Sequence, residues 1–371
     1  MSYASIDQLQ NALSTTVFHH TRDAKKAAGR ALGTLVEIIS YYLMRNWELG
    51  DNILIERPLL EYGNSEISHN VEFSFHPATQ VQMINMGTYP VTSSKIISQM
   101  GNAISTQAKK TNKTLVTKDG LLRNACVFAQ DQNSVYIANV NDSQHKKVKI
   151  LHLQNKPFAM VECKRVGVEN GNKKGPQTIE KAKQGAYVAR MTSSLQKVRD
   201  EQGNIYGLIY QDDVPIIKPY SILLDEIVNG QELLLKDFIL SIGVVSNHGN
   251  WYTGSNLNKE LKVLAQSYDW LLFLSDQGLA QFITDLLLYP AKKYDCISNA
   301  FTKSYQEGKK QNLFTKTKID IKAHLALIDY FNKNISQIES WFNVITPNGS
   351  SIQDLKQLLK VLKNKNWEAI L

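Results

Sequence analysis

Across residues 23–48 the chain reads DAKKAAGRALGTLVEIISYYLMRNWE, and Leu32, Leu35, Val36, Ile39 and Leu43 recur every three to four positions. That spacing predicts one long amphipathic helix. After Gly50 and Asp51 the period shortens: residues 52–57 and the alternating Val71-Glu72-Phe73-Ser74-Phe75 predict strands, the second half-buried. A polar, Lys/Asn/Thr-rich stretch at 101–118 predicts a helix end and a loop. Four β-like runs follow at 121–129, 134–140, 147–153 and 158–166, separated by clusters of turn residues, and together they predict the central sheet. A Gly/Lys/Asn-rich loop at 167–176 leads to a predicted helix over 177–197, with strands at 205–210 and 238–245. Beyond Gly249 the pattern turns helical, at 257–274, 278–289, 318–342 and 352–362. The fold class is therefore α/β, with a mixed central sheet flanked by helices over residues 1–250 and a mostly helical C-terminal region over 251–371.

A chain of 371 residues that is 43% hydrophobic buries a sizeable core. Lys and Arg number 42 against 34 Asp and Glu, a formal charge of +8, which draws the molecule towards polyanions, nucleic acid foremost. Cys126, Cys163 and Cys296 lie far apart and form no CxxC pair, which argues against a zinc site or a disulfide framework and fits a reducing cytoplasm. The first ten residues are polar, and no apolar run is long enough to span a bilayer, so neither export nor a membrane is expected.

The chemistry concentrates at Pro157-Phe158-Ala159-Met160-Val161-Glu162-Cys163-Lys164. Side chains on a strand alternate, so Glu162 and Lys164 project from one face about 7 Å apart. Charges at the tip of so apolar a run invite a functional reading, because such a strand is generally buried. Hydrolysis of a phosphodiester needs carboxylates that hold a divalent metal, a metal-acidified water and positive charge where the transition state gathers negative charge.

In this the sequence resembles the PD-(D/E)XK nucleases, whose core is a helix, three antiparallel strands, a helix and a further strand, with one acid early on the second strand and (D/E)xK on the third. Glu162-Cys163-Lys164 matches the second acid and the lysine, and Lys118-Asp119-Gly120-Leu121-Leu122 the first acid, with lysine in place of proline. Glu72 and Asp142 are alternatives for that first acid. Gly33-Thr34-Leu35-Val36-Glu37 is similar to the family's helical motif with a glutamate pointing at the site, and Gln184-Gly185-Ala186-Tyr187 to the Gln/Tyr motif of one nuclease branch. The resemblance implies that Asp119 and Glu162, helped by the Cys163 main-chain carbonyl, hold Mg²⁺. It implies that Lys164 orients or acidifies the attacking water and stabilises the pentacovalent phosphate, and that Glu37 binds metal through water or serves as an outer-shell base.

Arg165, Lys173 and Lys174 on the loop leaving this strand, with Gln184 and Tyr187 on the next helix, are the expected contacts to the DNA backbone. Lys109, Lys110 and Lys113, and Lys309, Lys310, Lys316 and Lys318, form further basic candidates. The histidines give no zinc or HNH spacing, and no Walker loop is present. The expectation is a type II restriction endonuclease cutting duplex DNA with Mg²⁺ as a homodimer, functionally partnered by a cognate DNA methyltransferase. A structure-specific or repair nuclease of the same fold, or a DNA-binding protein without catalysis, are the alternatives.

Overall fold

The computed structural model describes residues 6–19, 21–59, 67, 69–140, 147–166, 183–230, 232–247, 266–305, 313–346 and 349–371. Among them no helix is long and apolar enough to cross a membrane. Helix α1 (Ile6–Thr16) precedes the long α2 (Ala24–Met44), whose N-terminus is capped by the Asp23 carboxylate accepting from the Lys26 N–H. The stripe read from the sequence is the buried one: Leu32, Leu35, Val36, Ile39 and Leu43 are all inaccessible or nearly so.

The central sheet has the order β1 (Ile53–Arg57), β2 (Val71–Phe75), β11 (Ala159–Val166), β15 (Leu240–Asn247), β16 (Trp270–Leu274) and β18 (Phe342–Thr346). Strand β2 runs antiparallel to both β1 and β11, β15 runs parallel to β11, and β18 closes the far edge antiparallel to β16. Helix α4 (Gln184–Thr192) lies on the path from β11 to β15, where its Val188 and Ala189 cluster with Met160 and Ile239. The other face belongs to α2 and to α9 (Ile352–Lys363): Ser40, Leu43 and Trp47 meet Val161, Ile242, Leu272, Leu355 and Leu359 around a small apolar void. With both faces covered, β16 (Trp-Leu-Leu-Phe-Leu) reads as a continuous apolar run, as buried parallel strands do.

Three of the four β-like runs at 121–166 do not belong to this sheet, contrary to the sequence expectation. A second, antiparallel sheet has the order β3 (Ala78–Asn85), β10 (Lys147–Gln154), β9 (Ser134–Val140), β8 (Cys126–Gln130), β5 (Lys109–Lys110). It is inserted between β2 and β11. A third, with the order β17 (Lys318–Asp320), β7 (Leu121–Arg123), β6 (Thr114–Val116) and β4 (Val91–Thr92), joins the middle of the chain to its C-terminal part, and α3 (Ser93–Met100) follows β4. Of the span read as a helix over 177–197, Gln184–Thr192 is helical and the last two residues open a three-stranded meander, β12 (Gln196–Arg199), β13 (Ile205–Gln211) and β14 (Val214–Pro219), whose β13 is the strand expected at 205–210 and which leads to α5 (Tyr220–Asn229).

Residues beyond 250 are not a separate helical appendage. Helices α6 (Asp276–Ile283), α7 (Asp295–Ser304), α8 (Ile321–Glu339) and α10 (Trp367–Ile370) are present, yet β16 and β18 complete the central sheet and β17 the third. One hydrophobic cluster runs from Leu9 to Ile370 across the whole chain.

His76 ties the first two sheets together. Its Nδ1–H donates to the Gln154 carbonyl oxygen at 2.9 Å, which leaves Nε2 to accept from the Ser74 hydroxyl at 2.7 Å. Burial, assisted by the nearby Arg57 charge, holds the imidazole pKa well below its ordinary 6.5. The unfolded chain therefore binds a proton that the folded one refuses. This makes stability highest above about pH 6.5, with a loss of up to about 1.4 kcal/mol per pH unit as pH falls from there towards the depressed folded value. Urea unfolding at pH 7.5 and pH 5.5 measures the loss, and in His76→Gln the difference between the two pH values shrinks accordingly; an unchanged difference would assign it to other groups.

Candidate functional site

Backbone register assembles the site. On β1 and β2, Ile55 pairs with Phe73 and Arg57 with Val71, so Glu56 falls opposite Glu72. On β2 and β11, Ala159 pairs with Phe75 and Val161 with Phe73, so the next step sets Glu162 opposite Glu72. Three glutamates thus stand side by side across three neighbouring strands, with Lys164 two residues further along β11. Neighbouring strands are about 4.8 Å apart, so this row concentrates negative charge that solvent alone does not neutralise once buried.

Burial is pronounced. Glu72 and Glu162 retain only 8% and 4% of their accessible surface. One Glu162 oxygen, Oε2, accepts the Glu72 backbone N–H at 3.1 Å, and the other, Oε1, meets the Lys164 ammonium at 2.6 Å. Burial pushes the Glu162 carboxyl above the ordinary carboxylate range, against the opposing pull of Lys164 and, more weakly, of His69. Cys163, between the two, turns its thiol to the opposite face against Ser40 of α2, where burial pushes its pKa up strongly. The thiol is inert there, and only its main chain is left for the ligand role expected of this residue.

Lys316 is the residue that sequence reasoning undervalued. Read as one of a string of basic surface positions, it is instead 6% exposed, and its Nζ lies 3.1 Å from Glu37, 3.0 Å from Glu56 and in contact with Glu72. It stands in a tight turn closed by the Phe314–Ile319 bridge. The Thr315 N–H donates to the Lys318 carbonyl oxygen at 2.7 Å, and the Thr315 hydroxyl accepts the Lys318 N–H at 3.0 Å. Asn124 clasps the turn from β7's end, its backbone N–H donating to the Thr317 carbonyl and its side-chain amide to the Lys316 carbonyl. Through Lys316 the α2 acid Glu37 joins the strand acids.

Asp119 is not brought to this cluster. It lies in the Thr117–Gly120 turn, whose Gly120 carbonyl accepts the Ile321 N–H; from there β7 runs past β17 to Arg123 opposite Lys318 before reaching Asn124 and the Lys316 turn. Five residues of chain from Asp119 to Asn124, extended over β7, place it at the opposite end of that small sheet. Glu72 takes the position expected of the first acid; Asp142 lies outside the described residues. Arg165 likewise departs from expectation: its guanidinium donates to the Gly29 carbonyl at 2.7 Å and reaches the Gln10 side chain at 3.4 Å, bracing α1 and α2 against β11 rather than reaching outwards. Tyr187 is exposed on α4, and Gln184 begins that helix, though its side chain lies outside what is described. Lys173, Lys174, Lys309 and Lys310 also lie outside the described residues.

Among the described residues no three acidic, imidazole or thiol groups are drawn together tightly enough to cage an ion by themselves. The donor set nonetheless suits a hard divalent cation, being made of carboxylate oxygens, and the Lys316 ammonium stands among three of them as a cation would. Comparison with protein-family models, curated proteins and solved structures returns no match.

Proposed function

We propose that this chain is a Mg²⁺-dependent endonuclease of the PD-(D/E)XK kind, cutting duplex DNA at a specific sequence. The observation that carries the reading is the Glu162 carboxylate lying against Glu72 of the neighbouring antiparallel strand, whose backbone N–H it accepts, with Lys164 paired to Glu162. The order of elements supports it: a helix bearing Glu37, three antiparallel strands, a crossover helix and a parallel strand is the order of that family's core. The excess of basic residues supports a polyanionic substrate.

On this reading Glu72 and Glu162 would hold the cation, and Glu37, 3.1 Å from the Lys316 ammonium, would reach it through a water. The bound metal would lower the pKa of a water and neutralise charge on the scissile phosphate. Lys164, fixed by its ion pair with Glu162, donates a hydrogen bond to the attacking water or to a non-bridging phosphate oxygen. The water oxygen would add to phosphorus as its proton passes to solvent, the bond from phosphorus to the leaving ester oxygen would break as that oxygen takes a proton from solvent, and the ammonium would stabilise the charge that gathers on the phosphate between these events. Two antiparallel strands are cut by two such sites related by a two-fold axis, hence a homodimer; a host carrying such an activity protects its own DNA with a cognate methyltransferase.

Incubating the purified protein with plasmid DNA and Mg²⁺ tests this. Discrete fragments whose sequenced ends share one motif are expected. Cleavage only at nicks, flaps or junctions would make it a structure-specific or repair nuclease, and retention of DNA without any cleavage would make it a binding protein.

A further inference from the structure

We propose that Lys316 is a tethered counter-cation of the carboxylate site, which a divalent metal must displace from Glu72 in order to bind. This rests on the reading of Glu72 and Glu162 as the metal-holding pair. Glu37, Glu56, Glu72 and Glu162 bring four carboxylates together against the two ammonium groups of Lys164 and Lys316, so removing Lys316 raises the local excess from two negative charges to three. Lys164 is paired with Glu162, and among the described residues Lys316 is the ammonium that touches the other three acids.

Its delivery is prearranged rather than incidental. The turn that carries it is closed on itself by the Thr315 hydroxyl and clamped by Asn124 through both backbone and side chain, so the stem reaches the acids from a fixed base. Glu56, which meets it, has a backbone φ of 51°, a left-handed conformation that a non-glycine residue keeps only where the surroundings hold it. The three contacts are unequal in kind: Glu72 is buried, whereas Glu56 is exposed and Glu37 partly so. When a metal takes the Glu72 oxygens, the flexible lysine stem lets the ammonium withdraw onto Glu37 and Glu56 without leaving the site. The consequence is a lowered intrinsic metal affinity, and a site whose acids remain partly neutralised when metal is absent.

Titrating Mn²⁺ calorimetrically into the full-length protein without DNA tests the displacement. Lys316→Met is expected to bind Mn²⁺ at least tenfold more tightly than the wild type, and Glu72→Gln much more weakly. Lys316→Gln serves as the second variant should the methionine protein not fold, with the same direction expected. In the wild type, acetylation of the Lys316 amine read by mass spectrometry is expected to quicken when Mn²⁺ is added, as the ammonium shifts from buried Glu72 to the exposed Glu56 and the partly exposed Glu37. Equal or weaker Mn²⁺ binding by the Lys316 variants, or an unchanged acetylation rate under saturating Mn²⁺, would overturn the displacement while leaving the metal site intact. Binding that survives unaltered in both Glu72→Gln and Glu162→Gln would remove the metal-site reading itself, and the displacement with it.

Discussion

Lys164→Ala is expected to abolish DNA cleavage while leaving duplex binding within a few-fold of the wild type. The lysine is about a quarter exposed, reachable by a phosphate yet fixed 2.6 Å from Glu162. A single preorganised donor aimed at developing negative charge is worth roughly 10²–10³ in rate, and a group that also orients the water is worth more. Losing Lys164 carries a second penalty, because the Glu162 carboxyl, already raised by burial, loses the largest influence that opposes the rise and becomes a poorer ligand at neutral pH. Binding depends mainly on many phosphate contacts spread over the surface, so one lysine changes it little. A gel assay of plasmid cleavage beside a filter-binding assay separates the two effects. Cleavage at the wild-type rate would take Lys164 out of the mechanism.

Glu72→Gln and Asp119→Asn are expected to behave oppositely. Glu72 faces Glu162 across the β2–β11 pairing and touches Lys316, so the neutral amide removes one of two metal-holding carboxylates. The loss exceeds the roughly 10–100-fold that a mere outer-shell partner costs. Part of the buried charge balance goes with it, although Glu37 and Glu56 still hold Lys316 and limit the drop in stability below the about 3–5 kcal/mol of a fully broken buried pair. Asp119→Asn, in a turn at the far end of the small sheet, leaves cleavage at the wild-type level. Rates normalised to the folded fraction by circular dichroism make the comparison fair. A dead Asp119→Asn beside an active Glu72→Gln would restore the first acid to Asp119.

The periodic segments were legible and the partners were not. The apolar stripe of α2, the alternation of β2, the ExK strand β11 and the amphipathic α9 were all readable, because each is set by local spacing against a covering layer. Alternation marks a strand without naming its neighbour, so β8, β9 and β10 were assigned to the central sheet although they pair among themselves and with β3. The buried run Trp270–Leu274 was read as helix because a continuous apolar stretch carries no period of its own. Of the site, Glu162, Lys164 and Glu37 were found from the motif. Glu72 was only an alternative because the whole inserted sheet separates it in sequence from the strand it pairs with. Lys316 had no local signal: what makes it chemical is Glu72, on the other side of most of the chain.

The insert is spliced directly into the two strands that carry the paired acids. Strand β2 passes through His76 and Pro77 into β3, and β10 returns through residues 155–158 into β11, where the Arg57 guanidinium grips Asn155 and the Phe158 N–H donates to the Phe75 carbonyl. Neither link has slack. The outer sheet therefore joins the central one at the paired ends of β2 and β11, and the three residue pairs from Ala159–Phe75 to Val161–Phe73 are all that separates its two links from Glu72 and Glu162.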